Sequence, residues 1–299
     1  MKQISIIIPV YNSESTIEDC IHSINIQTQK PAFVLIVDDC SNDHTDKIIR
    51  SLGISVKNNL KRIGKAASIN SALNLITTDY VLILDSDTYL EREFIKKLSK
   101  ILDSHDYDGG SGMVKYIGRN EFSKKIAKLW HNRTWKYNGC CQFFKTEVIK
   151  ELRFDEFTYV EDEEIYQRMK DMNVKMVDAW VSTEVTTSKE KYFNQRLRWL
   201  LGDIQLAAKK RDLVELASIT VIAFAPIILF SLIFYYIKSN LSQSFLSLIF
   251  LFLFGYAACG KDAPVDIKDI IRGIFIYPIA FIQIIVLKLN LNLDENWKR

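Results

Sequence analysis

Apolar positions fall into two alternating spacings along the first two thirds of the chain. Ile4-Ser5-Ile6-Ile7-Ile8 is a β-branched run of strand length, closed by Pro9-Val10-Tyr11-Asn12. Residues 15–27 then carry Ile17, Ile21 and Ile24 at helical spacing. The pattern repeats, with strands predicted at 33–37, 54–56 and 80–84 and helices at 43–52, 65–76 and 91–102. Such alternation predicts an α/β domain built on a parallel sheet with helices on both faces. Sheets of this kind bind ligands at the carboxyl ends of their strands, so the residues just after each apolar run are the ones to inspect.

The last third has a different pattern. Residues 213–237 hold one charge, Glu215, over a length sufficient to cross a bilayer; the run 241–258 and the shorter 274–287 follow. The expected organisation is a domain over residues 1–211, ending in an amphipathic interfacial helix, and a C-terminal membrane region over 212–299 with two or three transmembrane helices. The first apolar stretch is too short for a signal peptide. Lys209, Lys210 and Arg211 precede the first run, and Lys261, Lys268 and Arg272 separate the second from the third, whereas the hairpin carries Lys238. The expectation is an integral membrane protein whose soluble domain is cytoplasmic.

Composition narrows the field further. With 48% hydrophobic and 25% charged residues the chain is neither disordered nor fibrous, and a net charge of +3 gives no reason to expect a nucleic-acid partner. Five cysteines, with Cys140 and Cys141 adjacent, match neither a disulfide framework nor a zinc spacing and fit a reducing compartment.

Candidate chemistry sits where the sheet logic directs. Pro9, Tyr11, Asn12 and Glu14 follow the first strand; Asp38, Asp39, Ser41 and Asp43 follow the second; Asp85, Ser86 and Asp87 follow the strand at 80–84. Any one group suits an ordinary turn and helix cap. Carboxylates from all of them on one sheet edge repel one another unless a cation or hydrogen-bond donors intervene. A nucleoside diphosphate held through Mg2+ or Mn2+ answers that need, because these hard ions take oxygen ligands and complete their shell with phosphate and water. Asp87, past the strand end, is the better metal ligand; Asp85 suits the ribose, and Asp38 or Asp39 the base. Phosphate-cradling glycine loops of the P-loop and dinucleotide types are absent.

Glu161-Asp162-Glu163-Glu164 opens a further predicted helix. Its carboxylates interact well with the helix dipole, yet their mutual repulsion can raise one pKa toward that of a general base. Gln195-Arg196-Leu197-Arg198-Trp199 reads as part of an interfacial helix, and also offers an arginine for pyrophosphate and an indole for sugar stacking.

In this order the motifs resemble the large inverting glycosyltransferase family 2, and within it the membrane branch that carries Gln-x-x-Arg-Trp. Ile8-Pro9-Val10-Tyr11-Asn12 with Glu14, Asp38-Asp39-Cys40-Ser41-Asn42-Asp43, Gly64-Lys65 with Asn70, and Asp85-Ser86-Asp87 carry the likeness from residue 4 to about residue 199. The resemblance implies a GT-A fold in which Pro9, Tyr11, Glu14, Asp38, Asp39, Lys65, Asp85, Asp87 and Arg198 bind the nucleotide-sugar. It makes Asp87 the ligand of Mg2+ or Mn2+, Asp162 the base that deprotonates the acceptor, and Gln195 and Trp199 acceptor contacts. Arg168 matches the arginine that follows the base on its helix. The segment 138–145 is similar to the acceptor-side strand, with Lys145 where arginine is common.

The activity implied is metal-dependent inverting transfer from a nucleotide-sugar, expected to be UDP-linked, to a lipid-linked or other saccharide acceptor at the cytoplasmic membrane face. The alternative is a processive synthase of β-linked chains such as hyaluronan or poly-N-acetylglucosamine, its channel completed by an oligomer or partner subunit. The apolar runs offer little polar lining for such a channel, which favours addition of one or a few sugars. A nucleotidyltransferase would need neither Gln195 nor Trp199, and a binding protein without activity would not need all the acidic motifs.

Overall fold

The computed structural model describes residues 1–131 and 138–210, which divide into two units. The first unit, made of 1–119, 130–131 and 138–185 among these residues, carries the sheet. Its strands are β1 (Ile4–Val10), β2 (Phe33–Asp38), β3 (Val56–Asn58), β4 (Tyr80–Leu84), β5 (Thr88–Leu90), β6 (Gly109–Ile117), β7 (Cys141–Lys145) and β8 (Val174–Glu184). They lie in the order β3-β2-β1-β4-β7-β6-β8-β5. The helices of this unit are α1 (Ile17–Asn25), α2 (Thr45–Ser51), α3 (Lys65–Leu73), α4 (Phe94–Ser104), α6 (Thr146–Leu152) and α7 (Glu161–Arg168); α5 (Glu121–His131) leads out of it.

The sheet is parallel only in its first half. β1 pairs in parallel with β2 and β4, and β2 with β3, as the strand–helix alternation predicts. β7 then runs antiparallel to both β4 and β6, β6 is parallel to β8, and β5 closes antiparallel on β8. Consequently β7 begins at the edge where β4 ends, with Cys141 opposite Leu84, and adds its entry loop to the carboxyl-end cleft.

The apolar runs explain the layers. Every residue of β1 is buried, as expected of a central strand covered on both sides. Ile4, Ile6 and Ile8 join one core with Ile17, Ile21, Phe94 and Leu98, beneath α1 and α4. Ile7 belongs to the opposite core with Val37, Ile69, Leu73, Ile149 and Ile165, beneath α3, α6 and α7. Pro9 lacks an N–H yet sits inside β1, and pairing of β1 with β4 has ended by Ile7, so no ladder bond is lost on that side. Gly110 permits β6 and β8 to meet closely, since a Cβ there would lie 2.0 Å from the Lys175 carbonyl oxygen.

The second unit contains residues 120–129 and, among those described, 186–210, including α8 (Lys189–Lys210). Asn120 and Ser123 cap α5 reciprocally: the Ser123 N–H donates to Asn120 Oδ1 at 2.8 Å and the Asn120 N–H to Ser123 Oγ at 2.9 Å. Phe122 meets Tyr192 of α8 edge to face, ring centroids 5.7 Å apart. Among the described residues no helix is long and apolar enough to cross a membrane. The runs 213–237, 241–258 and 274–287 lie outside the described residues, as does the region 212–299 as a whole.

Candidate active site

The carboxyl ends of β1, β2 and β4 and the start of β7 converge on one edge of the sheet, and local geometry there is tightly fixed. Asn12 and Cys40 adopt left-handed backbone conformations, with φ of 51° and 64°, and turn the chain just past β1 and β2. The two loops are stitched together: Asn12 N–H donates to Ser41 Oγ at 3.0 Å, and the Asn42 N–H donates to Asn12 Oδ1 at 2.9 Å. Glu14 accepts from the His44 backbone N–H and faces His44 Nδ1, each at 2.9 Å. Those bonds from His44, backbone first, hold the Glu14 carboxyl below its ordinary pKa and engage it at the start of α2.

Asp38 and Asp39 divide their tasks. Asp38 accepts from the Ser41 N–H at 3.1 Å and the Ser41 hydroxyl at 2.5 Å, both through Oδ1. Asp39, 4% exposed, accepts at Oδ1 from Asn59 Nδ2 and the Ile63 N–H and at Oδ2 from the Gly64 N–H, at 2.8 to 3.0 Å. Both carboxylate oxygens of Asp39 therefore anchor the loop 59–64. Gly64, at φ 93°, lets that loop turn into α3. Arg62 on the same loop lays its guanidinium 3.9 Å from the centroid of the Tyr11 ring, a contact the sequence did not single out.

The Asp85-Ser86-Asp87 turn is held from three sides. Asp85 N–H donates to the Cys140 carbonyl at 2.9 Å, the Ser86 and Ser13 hydroxyls are 2.8 Å apart, and the Glu184 N–H donates to the Asp87 carbonyl at 3.1 Å. Lys65, the first residue of α3, places Nζ 2.7 Å from Asp85 Oδ1 and 3.0 Å from Glu161 Oε1. Burial alone would lower its pKa, but the charges of Asp85, Glu161 and Asp162 outweigh burial and hold the ammonium well above its ordinary value. Lys65 thus joins the turn after β4 to the start of α7. Glu161 was legible only as one of four acids; its pairing with Lys65 depends on α3 and α7 meeting in space.

Two carboxyls in this cluster are displaced upward. Burial, then the adjacent charge of Asp85, pushes Asp87 up to about 7. Burial, then Glu161, pushes Asp162 up to about 6, against the opposing pull of Lys65. Like charges crowded among half-buried side chains of this kind fit a divalent cation at Asp87, which would relieve the repulsion directly. Among the described residues no three metal-ligating side chains converge, so such an ion would depend on phosphate and water for most of its shell, as Mg2+ commonly does.

Asp162 packs against Gly139, where a Cβ would stand 1.9 Å from Asp162 Oδ2. Of the cysteines nearby Cys141 is buried and Cys140 half-buried, and desolvation, then the charge of Asp85, raises the Cys140 pKa well above its usual value. Two further residues of the recognised motifs turn out to be braces. Asn70 donates to the Phe154 carbonyl and to Glu156 Oε1, both at 2.9 Å, and accepts from the Phe154 N–H at 3.0 Å. Arg168 pairs with buried Glu164 at 2.8 Å and donates to the carbonyls of Leu152 and Arg153, closing the end of α6.

Gln195, Arg198 and Trp199 lie on α8, in the second unit. Their spacing of three and four puts them on one helix face. Arg198 is exposed, and the Arg196 guanidinium stands 5.4 Å from the centroid of the Trp199 ring.

The chain is similar to several known proteins. Over 115 residues the chain is 32% identical to the poly(ribitol-phosphate) beta-N-acetylglucosaminyltransferase TarS of Staphylococcus aureus, covering 36% of this chain and 20% of that protein. Over 93 residues it is 39% identical to an Escherichia coli enzyme, UDP-Glc:alpha-D-GlcNAc-diphosphoundecaprenol beta-1,3-glucosyltransferase WfaP, covering 30% and 37%. The chain thus spans well under half the length of these relatives. The mannosyltransferase PcManGT of Pyrobaculum calidifontis, solved with GDP-Man and Mn2+, shares the fold with a TM-score of 0.56 at 19% identity, over 97% of this chain and 81% of that one. A model of glycosyl transferase family group 2 matches residues 80–287, and the model of glycosyl transferase family 2 matches residues 5–154. With half of its length so matched on an α/β sheet of the GT-A type, the chain belongs to glycosyl transferase family 2.

Proposed function

We propose that this chain transfers a sugar from a nucleoside-diphosphate donor, UDP-linked, to a hydroxyl of a lipid-linked acceptor, with inversion at the anomeric carbon. The observation that carries the reading is the convergence of Asp85, Lys65, Glu161 and Asp162 at the carboxyl edge of the sheet, with the Asp162 carboxyl raised to about 6. WfaP, by its name, acts on a diphosphoundecaprenol-linked sugar and a UDP donor, which supports both halves of the reading.

Asp162 accepts the proton of the acceptor hydroxyl as that oxygen attacks the anomeric carbon. One carbon–oxygen bond forms and the bond to the diphosphate breaks, so the nucleoside diphosphate leaves with the bonding electrons. A carboxyl that titrates near 6 is ionised at neutral pH and still basic enough for this task. Asp38 faces the base and Asp85 the ribose. Lys65 restrains Asp85 and keeps the acid-rich start of α7 beside the donor. Asp87 is the residue to hold Mg2+ or Mn2+, which when bound supplies electrostatic stabilisation of the leaving diphosphate. By the motif they match, Arg198 is assigned to the donor diphosphate and Gln195 and Trp199 to the acceptor. The domain works on the cytoplasmic face, tethered by the C-terminal apolar runs.

The test is incubation of the purified chain in detergent with a panel of radiolabelled nucleotide-sugars and a lipid extract, followed by chromatography. Discrete organic-soluble products with a UDP-sugar are expected. Absence of transfer from every donor tested would remove the proposal, and a ladder reaching high molecular mass would replace it with the polymerising synthase.

A further inference from the structure

Gly139 stands directly against the Asp162 carboxylate. Among the described glycines only Gly53 and Gly64 have left-handed φ values, so backbone conformation does not require glycine at 139. Space does. A Cβ at 139 would lie 1.9 Å from Asp162 Oδ2, 2.7 Å from its Cγ and 3.0 Å from its Cβ. The three nearest atoms thus all belong to one side chain, the carboxylate assigned as base.

The backbone at 139 is not free to retreat. On one side Asn138 donates through its N–H to Ser111 Oγ at 3.3 Å and through Nδ2 to the Gly112 carbonyl at 3.1 Å. On the other the Cys140 carbonyl accepts from the Asp85 N–H at 2.9 Å, inside the donor-side turn. Asn138 is buried, and Cys141 is locked into β7 opposite Leu84. A Cβ at 139 must therefore be accommodated by movement of the Asp162 carboxylate.

We propose that Gly139 is a positioning residue of the transfer reaction: its bare Cα forms the wall against which the Asp162 carboxylate is set. This rests on the assignment of Asp162 as base and adds that its position is dictated by the loop entering β7. Because the same loop holds the Asp85 N–H, donor turn and base share one rigid frame. A one-ångström displacement of a catalytic group can cost on the order of a hundredfold in rate, which sets the scale expected.

The experiment is a pair of mutant cycles read by turnover, donor affinity and thermal unfolding. Gly139→Ala should lower kcat on the order of a hundredfold while calorimetry finds nearly unchanged UDP affinity. In an Asp162→Asn background, Gly139→Ala should cause no further loss, because the group it acts through has already lost its function. Gly139→Ala should lower Tm in the wild-type background and by much less in Asp162→Ala, where Oδ2 and Cγ are gone and only the Cβ at 3.0 Å remains. Wild-type kcat in Gly139→Ala, equal losses in both turnover backgrounds, or equal Tm losses in both unfolding backgrounds would each overturn the proposal. Full turnover by Asp162→Asn would instead remove the base assignment, and with it the catalytic half of the proposal, while the Tm cycle still reports on the contact.

Discussion

Lys65 Nζ and Asp85 Oδ1 stand 2.7 Å apart, joining the first residue of α3 to the first residue past β4. The same ammonium reaches Glu161 at the start of α7, so one cation gathers carboxyls from segments far apart in sequence. Removing one member of such a cluster leaves its partners facing one another in a partly desolvated cleft.

Lys65→Met is therefore expected to make Asp162, the proposed base, harder to ionise. Lys65 lowers the Asp162 pKa, so its loss moves that pKa upward from about 6. The acid limb of the kcat/KM profile should shift to higher pH, and UDP binding should weaken through the repulsion left around Asp85. An unshifted limb would show that Lys65 does not act on the base.

In the wild-type enzyme the base must be ionised to work. With Mn2+ saturating at every pH, activity should be lost as pH falls through about 6, tenfold per unit below it, and be flat above until another group titrates. Asp162→Asn should lack this limb and retain on the order of a hundredth of the turnover or less, with donor affinity preserved. A steady-state pH series on both proteins checks this.

Asp39 and Asp38 are adjacent in sequence but should respond differently. Asp39→Ala deprives Asn59, Ile63 and Gly64 of their acceptor and should cost about 1 to 3 kcal/mol in urea unfolding, with UDP binding weakened as the loop loosens. Asp38→Ala should affect UDP affinity more than stability. The reverse ranking would return the base-recognition role to Asp39.

These contrasts mark what the sequence could reveal. Strands β1, β2 and β4 were readable because a strand buried on both faces has a nearly continuous apolar run. β3 was predicted at 54–56 and lies at Val56–Asn58, since its register follows pairing with Ile36 to Asp38 and not its own composition. The antiparallel return of β7 was not readable. β6 starts Gly-Gly-Ser-Gly, which has no apolar period, and its glycines reflect close approach to β7 and β8. Carboxylates at strand ends announced the site, but the sequence could not separate Asp39, a loop anchor, from Asp38. The distinction lies in donors 20 to 25 residues away.

Arg168 makes the same point and can be tested separately. The motif places it on the helix of the base, yet it pairs with Glu164, 3% exposed, and two carbonyls ending α6. Arg168→Ala should cost on the order of 2 kcal/mol, less than for a fully buried pair because Arg168 is about a third exposed. Urea unfolding should show the loss, with UDP affinity unchanged.

The last expectation concerns the cation. Asp87 is held near 7 by burial and by Asp85, and a divalent ion binds its ionised form. Below pH 7 each ion bound must therefore displace a proton, so Mn2+ affinity in the presence of UDP should rise with pH and level off above about 7. Calorimetry in buffers of different ionisation enthalpy should detect that proton release at pH 6 and little of it at pH 8. Asp87→Asn has no proton to lose and one ligand fewer, so it should bind Mn2+ weakly and without this pH dependence. Mn2+ affinity independent of pH in the wild-type protein would place the ion on other groups, and transfer at full rate in EDTA would make the cation unnecessary.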